Sequence, residues 1–291
     1  MNTPQSLRPT LPVCNICNSN QSVHISDLSK KLYRCEDCDH IFVLIDDAYS
    51  TDTIYADEYF ESAHKNWFKY PNYTLFEYIR QSVLKRLDKH DFKLLDVGCG
   101  RGDLLSYLRK KEPAADLYGI DGAPCSNPDF RFIQGDFMKV ALPDDFLAIT
   151  SLACIEHVDD PDLFAKRLRQ AITSQGLVVI MTVNANSLMY RLSALLHKVG
   201  IHAGYDRLYS EHHIHHFTNN SLKRVLENNG FRVVSQKNHN FSLASADFPA
   251  ANPAMTFLYK TFTAIVFFWS SLFQNGFLQT VICVVDEEKF A

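Results

Sequence analysis

Leu94-Leu95-Asp96-Val97-Gly98-Cys99-Gly100-Arg101-Gly102-Asp103 reads as a short apolar strand, a glycine turn and the first turn of a helix. Glycines at such a turn let the backbone bend sharply and let a ligand approach it closely. The spacing is G-x-G-x-G, and the position where a dinucleotide fingerprint has its third glycine is Asp103. Asp96 stands immediately before the turn. Carboxylates on both sides of the loop suit a ligand that carries an ammonium group and no phosphates, rather than a pyrophosphate.

Working outward, strand-like and helix-like patterns alternate over residues 93–183. After Lys93–Val97, Asp103–Lys111 is helical, with Leu104, Leu105 and Leu108 on one face. Leu117–Ile120, Phe130–Ile133 and Phe146–Leu152 follow as strands. Asp160-Pro161 starts a helix as N-cap and first-turn proline. Leu177–Val183 is apolar throughout, as a strand covered on both faces requires. Repeated βα units predict an α/β fold with a doubly wound, mostly parallel, Rossmann-like sheet. Ligands of such sheets bind beyond the carboxyl ends of the strands. Two further strands, Phe231–Ser235 and Leu278–Val285, bring the expected total to seven.

Four segments in order resemble the class I S-adenosylmethionine-dependent methyltransferases: the glycine loop, Asp121, Gln134-Gly135-Asp136-Phe137 and Ile155-Glu156-His157-Val158. The resemblance covers about 93–235 and implies S-adenosyl-L-methionine as cofactor. It implies that Asp96, Gly98, Cys99 and Gly100 form the loop against the cofactor, that Asp121 and Gly122 hold the ribose, and that Asp136 and Phe137 hold the adenine. The segment after the fourth strand is then expected beside the methyl-transfer site.

The chain has eight cysteines, and Cys14, Cys17, Cys35 and Cys38 have the C-x2-C…C-x2-C spacing of a four-cysteine zinc ribbon. A unit of about 30 residues buries too little core to fold alone, so Zn2+ is expected to supply its folding energy. The ribbon is assigned to residues 13–45, between a tail at 1–12 and a helical, aromatic-rich connector at 46–92, where Tyr49, Tyr55, Tyr59, Phe60 and Trp67 fall. The methyltransferase domain is assigned to 93–291, and ribbon and glycine loop are expected to belong to separate cores.

Six of the twelve histidines fall between His197 and His216, four of them in Glu211-His212-His213-Ile214-His215-His216-Phe217. The segment resembles one in methyltransferases related to ubiquinone biosynthesis, which implies that His213 approaches the acceptor. Histidine suits removal of a hydroxyl proton because its affinity lies near neutrality. His213, His157 and Glu156 are the catalytic candidates. Some quinone methyltransferases hold a metal with Glu-x-x-Glu-His here; Ala153 stands in the first position, so that pattern lacks a ligand.

An apolar insert at 237–276 contains an uncharged run, Thr261–Phe273, shorter than the roughly 20 residues of a spanning helix. It reads as a lid, a homodimer contact or, through 257–273, a peripheral membrane contact. The opening residues lack the apolar core of a signal peptide, and the paired cysteines suit a reducing compartment, so a cytoplasmic protein is expected. Lys plus Arg is 29 against 33 for Asp plus Glu, a net charge of −4, which argues against a nucleic-acid partner. The expected reaction is methyl transfer to a hydroxyl of a small-molecule or glycan-type acceptor. Its rivals are a ribosomal-RNA methyltransferase and a scaffold that binds cofactor without catalysis.

Overall fold

The structure, a computed structural model, describes residues 11–27, 31–44, 65–143, 145–209, 213–248 and 252–289. Most of the expected tail, Tyr49, Tyr55, Tyr59 and Phe60 of the connector, and Glu211 and His212 lie outside the described residues.

The amino-terminal part forms three strands, β1 (Ser22–Asp27), β2 (Lys31–Cys35) and β3 (Ile41–Val43). Helices α1 (Lys65–Lys69) and α2 (Tyr73–Leu87) lead into the alternating region: β4 (Lys93–Val97), α3 (Asp103–Lys111), β5 (Asp116–Asp121), β6 (Arg131–Gln134), β7 (Phe146–Leu152), α4 (Pro161–Ala171) and β8 (Ile172–Val183). Then come α5 (Leu188–Lys198), α6 (Ala203–Leu208), β9 (His215–His216), α7 (Asn219–Asn228), β10 (Phe231–His239), α8 (Pro253–Leu272) and β11 (Leu278–Val285).

The larger sheet runs β10-β11-β8-β7-β4-β5-β6. Only β11 runs antiparallel to its neighbours β8 and β10, which gives the seven-stranded, mostly parallel, doubly wound sheet that the sequence pattern predicts. The central strands are buried along most of their length, which accounts for their largely apolar sequences. Strand order reverses between β4 and β7, so the carboxyl ends of these two strands open the crevice where a ligand fits.

Three boundaries differ from the expected ones by more than one residue. Strand β8 starts at Ile172, not Leu177, because Ile172 pairs with Phe146 before a register break in front of Ala148–Leu177. Strand β10 continues to His239 because β11 pairs with it as far as Leu278. Helix α8 starts at Pro253, well ahead of the uncharged run. Its start is set by the Asn252 side chain, which accepts a hydrogen bond from the Met255 amide, and by proline at the first turn.

The ribbon does not have the separate core expected of it. Strand β9 pairs antiparallel with β3, Ile41 opposite His216 and Phe42 opposite His215, so the small sheet is β1-β2-β3-β9. Ile16, Cys35, Cys38 and Phe42 share one apolar cluster with Leu95, Val97 and Ile149 of the large sheet and Leu222 and Val225 of α7. The amides of Asn220 and Asn228 on α7 donate to the carbonyls of Cys38 and Ile16 at 3.3 and 3.1 Å. A two-residue strand has no periodicity to read, which is why this closure was illegible in the sequence.

Candidate active site

The glycine loop leaves β4 with its amides anchored: those of Gly98 and Cys99 donate to the Ile120 carbonyl at 2.9 and 3.2 Å. Gly98 has φ +72°, and a Cβ there would stand 3.0 Å from the Cys154 sulfur. Gly102 has φ +76°, and a Cβ there would enter the Phe130 ring. Both positions therefore need glycine for space as well as for conformation. Asp121, at the end of β5, accepts from the Gly100 amide at 2.8 Å and from the Ala123 amide at 2.9 Å. One carboxylate thus holds the loop and its own turn in fixed relation.

Asp96 is buried and accepts from the Thr150 hydroxyl at 2.6 Å. Burial, aided by the neighbouring Asp121 charge, pushes its carboxyl up to about 7 against the opposing Thr150 bond. Asp136 accepts from the Met138 amide at 2.9 Å, and Phe137 packs edge-on against Phe164 with ring centroids 5.4 Å apart. The Cys99 side chain is buried, and burial raises its thiol, so it stays neutral.

Beyond β7 the chain turns at Ala153, which takes φ +53°, and passes into a short 3-10 turn, Ile155–His157. Glu156 is 1% exposed, and burial pushes its carboxyl up to about 7. His157 is buried, and its ring lies 4.9 Å from that of His213. The Ile214 amide donates to the Glu156 carbonyl at 3.1 Å, which brings the histidine segment to this turn. One ligand atom each from Glu156, His157 and His213 lie within 4.8 Å of one another. That spacing is short enough for one cation to reach all three.

His215 and His216 have a different role. Both are buried in β9, and burial lowers them to about 4 and about 3, so they are neutral near pH 7. The His215 Nδ1 meets the His40 Nε2 at 3.1 Å, and the His216 Nδ1 meets the Tyr190 hydroxyl at 3.1 Å. Of the crowded histidines that the structure describes, only His213 lines the cavity.

All eleven residues expected at the cofactor and catalytic positions line one cavity of about 1440 Å³. That exceeds the roughly 300–1,000 Å³ of a pocket for a single small ligand. The glycine loop, Asp121 and Phe137 form one end. The other end is walled by Met181, Tyr190, Phe241, Leu258, Phe262 and Phe267. The contributions of Tyr190 and Phe241 were not anticipated; their positions depend on β9 and on the insert.

The four paired cysteines come together away from this cavity, with all four sulfurs within 4.8 Å of one another. Cys14–Cys38 and Cys17–Cys35 sulfurs are 3.6 and 3.5 Å apart. A tetrahedral ion with arms of about 2.3 Å places sulfurs about 3.8 Å apart, so the set fits zinc. The two knuckles share one geometry: the amides of Asn18 and Asp39, at φ 57° and 60°, donate to the Cys14 and Cys35 carbonyls at 2.8 and 3.0 Å.

Comparison with known proteins bears on the family and the fold. Over residues 71–236, more than half of the chain, the sequence matches the family model described as a methyltransferase domain. The ubiquinone biosynthesis O-methyltransferase of Chromobacterium violaceum is 26% identical over 164 residues, 50% of this chain and 69% of that protein. The same enzyme of Pseudomonas fluorescens is 30% identical over 111 residues, 34% of this chain and 47% of that protein. The matches thus span between about half and two thirds of the relatives' own lengths. Among solved structures, a SAM-dependent methyltransferase of Archaeoglobus fulgidus superposes with TM-score 0.50 at 19% identity, covering 78% of this chain and all of that one. The plantazolicin methyltransferase in complex with SAH does so with TM-score 0.51 at 17% identity, covering 80% and 92%. At these identities the two structures speak for the fold alone. The family match, joined to a glycine loop tied to the Asp121 carboxylate, makes this chain a member of the methyltransferase domain family and a SAM-dependent methyltransferase.

Proposed function

We propose that the protein methylates a hydroxyl of a small, largely apolar acceptor. The observation that carries this reading is the placement of Glu156, His157 and His213, within 4.8 Å of one another, in the same cavity as the glycine loop and beside an apolar second half. S-adenosylmethionine supplies an electrophilic methyl group. Gly98, Gly100, Asp121 and Phe137 would hold it, and Asp96 would face its ammonium group. Phe241, Leu258, Phe262 and Phe267 suit an apolar acceptor body better than a glycan, while Arg207, Ser245 and Asp247 beside them can take a polar substituent. The apolar half orders the acceptor and keeps water away. His213 or His157 accepts the hydroxyl proton, and the buried Glu156 carboxyl beside them stabilises the imidazolium that forms. The O-methyltransferases of ubiquinone biosynthesis among the relatives are consistent with a phenolic hydroxyl.

The test is a mass-spectrometric assay with a panel of phenols and sugar nucleotides. His213→Ala or His157→Ala, whichever removes the base, should lower turnover by about 10²–10⁴-fold. S-adenosylhomocysteine affinity should stay level. Near-normal turnover in both variants would place the base elsewhere. A second reading, a divalent cation held by Glu156, His157 and His213, is favoured by the same clustering. It predicts activity lost to chelator and restored by metal, whereas the proton reading predicts no chelator effect beyond that on the cysteine site. The cysteine tetrad is read as a structural Zn2+ site, to be checked by metal analysis of freshly reduced protein.

A further inference from the structure

Helix α8 is built the wrong way round for a core helix. It carries one charge, Lys260, in 20 residues, yet only Val266, Phe267 and Ser270 are buried. Phe257, Phe262, Ile265, Phe268, Trp269 and Leu272 are between 41% and 68% exposed. Helix α5 packs beside it and, with the turn that follows, adds exposed Leu195, Val199 and Ile201. This far exceeds scattered surface leucines, and contiguous faces of this kind mark an interaction surface.

Two observations choose what covers it. The first is charge. The stretches 188–204 and 252–273 contain Arg191, Lys198 and Lys260 and no Asp or Glu, in a chain whose net charge is −4. A face that is apolar with a cationic fringe is complementary to an anionic lipid surface. The second is continuity. Leu258 and Phe262 of α8, both more than 40% exposed, also line the cavity, as does Ile201 beyond α5. The outer face therefore runs without interruption into the apolar half of the candidate site. No helix among the described residues is long and apolar enough to cross a membrane, so the face would lie on a bilayer rather than span it.

We propose that α5 and α8 form a docking face for an anionic bilayer, and that the cavity takes an amphipathic acceptor whose reactive end enters while its apolar tail stays in the lipid. The acceptor half of this statement rests on the proposed methyl transfer; the docking half does not. The full chain would be mixed with vesicles of phosphatidylcholine alone and of phosphatidylcholine with about one third phosphatidylglycerol. Trp269 lies on the face, so its emission reports contact directly. The expected result is sedimentation with the anionic vesicles and a blue shift of tryptophan emission. The triple variant Phe257→Ser, Phe268→Ser, Leu272→Ser should bind about tenfold or more weakly. Those side chains do not line the cavity, so S-adenosylhomocysteine affinity, read by calorimetry, should not change. Arg191→Glu with Lys198→Glu and Lys260→Glu should abolish the preference for anionic lipid. Absence of vesicle binding by the wild-type chain would overturn the proposal. So would a dimer in sedimentation equilibrium that the serine variant dissociates while vesicles bind neither form. Vesicle binding without any affinity for S-adenosylhomocysteine would leave the docking face standing and bring down the methyl-transfer reading instead.

Discussion

Asp96 and Asp121 sit one strand apart and are predicted to respond to mutation differently. Asp121 already accepts two backbone amides, so Asp121→Ala removes the strap on the glycine loop together with the carboxylate proposed to hold the ribose. S-adenosylhomocysteine binding should weaken by roughly 1.5–3 kcal/mol for each charge-assisted bond lost, measured by calorimetry. Asp96 should instead show itself through protons. Its carboxyl is raised to about 7 by burial, so below that pH it is protonated in the free protein. An ammonium ligand favours the carboxylate and lowers that pKa, so binding releases a proton. Affinity should therefore fall as pH drops through 7, with up to about one proton released near pH 6 and almost none above about 8.5. Calorimetry in buffers of different ionisation enthalpy measures this; a binding enthalpy independent of buffer at pH 6 would refute it. The carboxylates were legible because they stand at fixed offsets from a glycine motif. His213 could not be told from His215 and His216 in the sequence, because the difference is burial, and burial is set by a strand pairing some 170 residues distant.

At the scale of elements, strands β4, β7 and β11 and the start of α4 were readable from apolar runs and caps, since each of those signals is local. Helix α8 was half readable: its carboxyl end follows the apolar run, while its start follows Asn252 and Pro253. The tightest local constraint is at the junction of the loop with α3, where Gly102 is the N-cap residue in the left-handed region. Gly102→Ala combines that backbone cost, about 1–2 kcal/mol, with a methyl directed into the Phe130 ring. Denaturant unfolding should show a loss of about 2 kcal/mol or more, and a loss below about 0.5 kcal/mol would mean that the loop relaxes freely.

For the whole molecule, the cysteine tetrad is built into the body of the protein rather than hung from it. The sequence suggested a ribbon that could be stripped of metal while the cofactor site stayed intact. The structure joins Cys35 and Cys38 to the same apolar cluster as Leu95 and Val97, and joins β3 to the strand that follows His213. Chelation or Cys35→Ser should therefore lower the midpoint of a single thermal transition instead of melting a separate segment. Amide exchange should rise over residues 213–217 as well as over the ribbon. Protection at 213–217 that is indifferent to metal would show that β9 is held by the larger sheet alone. Local pattern gave the large sheet and the cysteine spacing; it could not give this closure, which depends on two residues and a long sequence separation.

The same pairing bears on biosynthesis. A ribosome releases β3 long before β9, and at about 5–20 residues per second the interval is roughly ten to thirty-five seconds. During that time the nascent chain offers an open strand edge, with Ile41, Phe42 and Val43 not yet covered. Cys38 completes the proposed Zn2+ tetrad as it emerges, so an ion bound then would hold the small sheet together well before β9 arrives to close its edge.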